Sequence, residues 1–140
     1  MRKARLAIDQ WAARKSRVLY WLDLGNNAAT GQFILSQPNN RANRKKTHQL
    51  PTLADLYPEI VAPKVKENEQ PACSGAEALT GQEALINQDL AYPALAMLTQ
   101  LLRQGSLSYH GGFCNLATGQ LVPFRSAGRI QQRRRRPANP

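Results

Sequence analysis

The chain lacks most of what would assign a function on sight. Its 140 residues hold two cysteines, Cys73 and Cys114, far apart and outside any Cys-x-x-Cys pair. That excludes a disulfide framework. A structural zinc site needs about four ligands, and two scattered histidines, His48 and His110, do not complete one, so no metal is expected. Aromatic residues are few, 6%, and none is interleaved with the arginine runs, so specific base readout is unsupported. No run approaches the ~18–20 apolar residues of a membrane span. The first 20 residues are charged and lack the apolar centre of a signal peptide. These absences predict a cytoplasmic chain with reduced thiols and no membrane partner. The last absence concerns nucleotides. A Gly-rich turn between a strand and a helix lets backbone N–H groups approach phosphate, and no Gly-x-Gly-Gly occurs.

Acidic residues are also scarce, 9 against 19 Lys/Arg, and the net charge of +10 is unevenly placed. Residues 1–50 carry ten Lys/Arg and two Asp/Glu, a balance of +8. Residues 51–124 carry three and seven, a balance of −4, and residues 125–140 carry six Arg and no acid. Two readings are open: a solvated basic surface, or contact with nucleic acid or another anionic partner.

Residues 2–15 read as a helix, with Ala4, Ile8, Trp11 and Ala12 on one apolar face. Val18–Leu24 reads as a strand with two apolar faces, as an interior strand has. A second strand over Gln32–Leu35 is expected to lie antiparallel to it, because the link is too short for a parallel return. Residues 37–50 are almost wholly polar and read as a mobile loop. Leu53–Tyr57 fits one helical turn. Ser74-Gly75-Ala76-Glu77 fits a capping box. Ile86, Leu90, Ala94, Met97, Leu98, Leu101 and Leu102 keep a 3.6-residue beat through Pro93, and Gly105 suits a helix stop. Leu107–Phe113 and Gln120–Phe124 read as a closing hairpin about Ala117-Thr118-Gly119. The same Ala-Thr-Gly-Gln stands at 29–32, which predicts two similar turns with glycine at positive φ. Residues 125–140 read as a disordered Arg-rich tail.

Taken in order, Tyr20-Trp21-Leu22-Asp23-Leu24-Gly25-Asn26, Gly31-Gln32, Leu50-Pro51-Thr52, Pro58-Glu59-Ile60-Val61, Cys73-Ser74, Glu77-Ala78-Leu79, Ile86-Asn87-Gln88, Leu107–Phe113 and Asn115–Gly119 form a pattern. It resembles the C-terminal half of ThiF-type, E1-like adenylyltransferases, and within these the ThiF-family proteins of plasmid-borne ParB-related, ThiF-related (PRTRC) cassettes. The resemblance covers about residues 2–124. It implies an α/β chain, the C-terminal half of a Rossmann-like fold: helix, mixed strands, long helix, terminal hairpin. The family role it implies is ATP-dependent adenylation of the C-terminal carboxylate of a ubiquitin-like protein, with ATP and Mg2+ as cofactors of the full-length enzymes. The present chain departs from the family in lacking the Gly-rich half, so a truncated, inactive domain 1–124 without cofactors of its own is expected. Its expected partners are a ubiquitin-like protein, the missing N-terminal half or a second copy.

Four groups of residues are candidates for chemistry. Cys73 precedes a helix start, where a thiol gains nucleophilicity, but has no nearby histidine in sequence to act as base. Asp23, near a strand end, either faces a ligand or accepts from the Gly25-Asn26-Asn27 turn. Arg41, Arg44, Lys45 and Lys46, with Arg133, Arg134, Arg135 and Arg136, form two clusters suited to phosphate or non-specific nucleic acid. Trp11, Tyr20 and Trp21 read as core, and His110 as a hairpin residue. An exposed edge left by missing strands would dock a polypeptide.

Overall fold

A computed structural model describes residues 2–15, 17–46, 49–58 and 85–131. The element order is α1 (Arg2–Arg14), β1 (Trp21–Asn26), β2 (Thr30–Ser36), a single turn α2 (Leu53–Leu56), α3 (Ile86–Gln104), β3 (Ser106–Asn115) and β4 (Gln120–Gln131). The four strands form one sheet in the order β1-β2-β3-β4. Every neighbour is antiparallel, so the expectation of mixed strands gives way to a meander among the described residues. Short links explain the β1–β2 and β3–β4 hairpins, since a parallel return needs a dozen or more residues; the β2–β3 connection, residues 37–105, is long enough for either orientation.

The core follows from strand alternation. Phe33 and Leu35 of β2 point to one face, with Gly112 and Cys114 of β3 beside them. Onto that face α3 lays Ile86, Leu90, Ala94, Met97 and Leu101, all buried at helical spacing. The helix passes through Pro93 without ending and stops at Gly105, whose φ of 70° is left-handed. Ile34 points to the opposite sheet face and is fully buried.

Gly31 departs from expectation. Among the described residues only Gly105 and Gly119 have positive φ, so the two Ala-Thr-Gly-Gln copies are not alike. Gly31 lies within β2, where a Cβ would stand 2.5 Å from Leu90 Cδ1 and 2.8 Å from the Gly25 carbonyl. It is there so that α3 can approach the sheet.

Three further expectations are corrected. On α1, Ala12 is buried, but Ala4, Ile8 and Trp11 face solvent, Trp11 with 54% of its surface exposed; Trp21 is half-buried, while Tyr20, also half-buried, packs against the core as expected. The apolar stripe of α1 therefore points outward, and the helix is held by polar contacts. β1 is an edge strand among the described residues, not an interior one. β4 runs on to Gln131, pairing Arg125 with Tyr109 and Ile130 with Leu107, so residues 125–131 are strand and not tail. Residues 132–140 lie outside the described residues.

Candidate functional site

The sharpest correction concerns residues 37–46 and 49–50 of the stretch expected to be mobile; Thr47 and His48 lie outside the described residues. Polar composition excluded an apolar core there, but Gln37, Asn40 and Asn43 are themselves buried. The Asn40 side-chain amide donates to the carbonyls of Ala12, Lys15 and Val18 at 3.3, 3.0 and 2.7 Å. Its oxygen accepts from the backbone N–H groups of Ala42 and Asn43, both at 3.1 Å. Asn43 donates to the Pro38 and Leu19 carbonyls at 2.9 and 3.2 Å. Gln37 Oε1 accepts from the Leu50 N–H at 2.8 Å. The last carbonyls of a helix need partners from outside it, and Asn40 supplies them for the end of α1. Sequence reasoning missed this clasp, because asparagine signals a turn equally well when exposed.

The basic cluster rides on this clasp, so it is held rather than mobile. Arg41, Arg44 and Lys45 are exposed. Arg44 donates twice to the Asn39 carbonyl at 3.2 Å. The Lys46 ammonium stands 5.0 Å from the centre of the Tyr20 ring, within cation–π range. Burial lowers the Lys46 pKa and raises that of Tyr20. Arg41 and Lys45 therefore carry the free charge of the cluster.

Asp23 sits within β1, 8% exposed, and faces α1. Its Oδ1 accepts from Arg5 Nε at 2.9 Å, rather than from the Gly25–Asn27 turn. Arg5 Nη2 also donates to the Leu24 carbonyl at 3.1 Å. Gly25 makes this possible, since a Cβ there would collide with Arg5 Nη2 and lie 3.0 Å from Gln32 Nε2. Asp23 Oδ2 is buried with no partner. Arg5, Asp23, Gly25 and Gln32 thus converge on the sheet face that α1 covers. Arg5 and Gln32 were not singled out from sequence; an arginine on a helix has no signal naming its partner.

His110 lies in β3, buried, with Nδ1 unpartnered. Burial lowers its pKa, and a hydrogen bond with the Leu35 backbone partly opposes this. The Cys114 thiol is pushed up by burial and then by Asp89, the direction of an inert thiol. The clusters expected at Cys73, the Ser74–Glu77 box and Arg133–Arg136 lie outside the described residues. Among the described residues no group of three or more His, Cys, Asp or Glu could hold a metal, and no helix is long and apolar enough to cross a membrane. No protein-family model matches the chain, and neither does any curated protein or solved structure.

Proposed function

We propose that this chain is the C-terminal part of a ThiF-type, E1-like unit with a Rossmann-like fold. In this reading it serves ubiquitin-like protein activation by docking to a polypeptide that carries the Gly-rich, ATP- and Mg2+-binding half. The observation that carries the proposal is the outer edge of β1. The Asn27 N–H to Thr30 carbonyl bond closes the β1–β2 hairpin at 2.8 Å. Alternation then turns the backbone groups of Leu22, Leu24 and Asn26 away from β2. Among the described residues no strand meets them. Leu24 of β1 and Leu19 ahead of it are exposed, as are Ile8 and Trp11 of α1. An unpaired edge beside exposed apolar side chains suits addition of a strand.

The test is ATP–pyrophosphate exchange. The chain alone is expected to give background exchange and no calorimetric heat with Mg-ATP. Adding a polypeptide with the Gly-rich half and a ubiquitin-like substrate is expected to bring exchange above that polypeptide's own rate. Exchange by the chain alone, or no binding to any such half, would overturn the reading.

A second reading, a basic nucleic-acid module, is favoured by one observation: Arg41 and Lys45 are exposed on a pinned loop. It requires a gel shift that fades steeply with salt and weakens in Arg41→Ala, Lys45→Ala.

A further inference from the structure

Helix α3 has two apolar faces, and only one meets the sheet. Ile86, Leu90, Ala94, Met97 and Leu101 are buried. At 100° per residue the opposite side carries Gln88, Tyr92, Leu95, Thr99 and Leu102, spaced 4-3-4-3. On it Tyr92 is 80% exposed, Leu95 58% and Leu102 67%. Leu85, at the helix entry, is 57% exposed. A 4-3 spacing is the seam of a helix that packs lengthwise on another helix. A solvated face would alternate with charge, yet residues 90–102 contain no Asp, Glu, Lys or Arg.

The two charges that α3 does carry stand at its ends, Asp89 in the first turn and Arg103 in the last. Both lie on the same flank of the stripe. If two copies of α3 run antiparallel about a two-fold axis near residues 96–97, same-flank residues face one another. Asp89 then meets Arg103 of the other copy, Tyr92 meets Leu102, and Leu95 meets Thr99. A parallel pair would place like charges level. The stripe is thus complementary to itself in one orientation, as an isologous contact requires.

We propose that this face of α3 pairs with a second copy of the chain as an antiparallel helix pair. The proposal does not depend on the ThiF-type reading, which concerns the outer edge of β1 and not the solvent side of α3. One helix pair is at the low end of interface sizes, so the dimer is weak and concentration-dependent. Each copy carries +10, so long-range charge opposes association and added salt screens it. Association is therefore expected to strengthen with salt, the reverse of nucleic-acid binding.

Sedimentation velocity of the full chain between about 1 µM and about 1 mM, the range in which such contacts titrate, tests this at low and high salt. The expected result is a monomer–dimer equilibrium that tightens with salt. Leu95→Lys and Leu102→Lys should each raise the dissociation constant tenfold or more, with unchanged circular dichroism. Leu121→Lys, on exposed β4, should leave it unchanged. Asp89→Arg should weaken pairing, and adding Arg103→Asp should restore it. A chain monomeric throughout, or a dimer indifferent to lysine at 95 and 102 in variants that keep their helix, would overturn the proposal. So would a dimer lost equally in Leu121→Lys.

Discussion

Asn40→Ala tests whether the polar loop is clasped. The wild-type side chain is 1% exposed. It serves three carbonyls, of Ala12, Lys15 and Val18, and two N–H groups, of Ala42 and Asn43. Two amide hydrogens cannot serve three acceptors equally, and the Ala12 contact, at 3.3 Å, is the weakest. Four strong contacts remain. A net hydrogen bond contributes about 0.5–1.5 kcal/mol, and a buried group left unpaired costs about 1–3 kcal/mol. Water reaching the edge of the clasp relieves part of that, so the expected loss is about 2–4 kcal/mol. A domain holds about 5–15 kcal/mol in total. At about 3–5 °C per kcal/mol for this length, the melting temperature should fall by about 10 °C. Urea unfolding followed by circular dichroism reads the loss, with Asn39→Ala, an exposed neighbour, as control. Asn39→Ala should lie within about 0.5 kcal/mol of wild type. If Asn40→Ala matches it, the end of α1 is not held by this side chain, and the loop is mobile after all.

Gly31→Ala places a Cβ 2.5 Å from Leu90 Cδ1 and against the Gly25 carbonyl, which cannot retreat; overpacking of this kind should cost about 1–3 kcal/mol by urea unfolding. Arg5→Ala leaves Asp23 buried without its cation; the pair is partly exposed, so the loss should be about 2–4 kcal/mol, below the fully buried limit, and Arg5→Ala with Asp23→Asn should recover part of it. His110 sets a pH dependence. Its folded pKa is lowered by burial from 6.5, so below that pH the unfolded chain binds a proton that the folded chain refuses. Stability should therefore fall as pH drops from about 6.5 toward the folded pKa, and His110→Gln should flatten that slope in melts taken from pH 7.5 to 5. Asp9 works oppositely: burial, then Asp55, raise its pKa above 3.8, so acidification through that range relieves a strained charge, and Asp9→Asn should stabilise at neutral pH.

The element order was legible because it rests on periodicity. Ile86, Leu90, Ala94, Met97 and Leu101 keep the beat of one buried helix face, from which Leu102 of the same run departs, and Ala117-Thr118-Gly119 closes a hairpin with glycine at positive φ. What was illegible rests on partners. Trp11 looks like core by type, yet α1 is held through Arg5, Ala12 and the carbonyls that Asn40 binds. Gly31 looks like a turn residue, yet it answers to the methyl of Leu90, some sixty positions away. Residues 125–131 look like tail because arginine and glycine carry little strand preference; pairing with β3 overrides it. Asp23 was singled out for its place near a strand end, an argument that holds where parallel strands share a crevice. In an antiparallel meander that crevice has no counterpart, and its meaning comes from Arg5 instead.

Arg5 also bears on how an open edge survives. Of the outward-facing carbonyls on β1, that of Leu24 is taken by Arg5, whose Nε holds Asp23. The guanidinium reaches it only because Gly25 has no side chain. A charged group lying on an edge strand is a recognised guard against indiscriminate pairing. The guard covers the middle of β1 and leaves the Leu22 and Asn26 backbone groups outside it. A strand that docks here must therefore replace the Arg5 contact at Leu24 with its own N–H while Asp23 keeps the guanidinium nearby. A partner with an acidic side chain opposite Leu24 would meet the released Nη2, whereas a basic one would meet repulsion from residues 1–50, which already carry +8. If a strand adds at this edge, what it admits is set by one arginine, one aspartate and one missing Cβ.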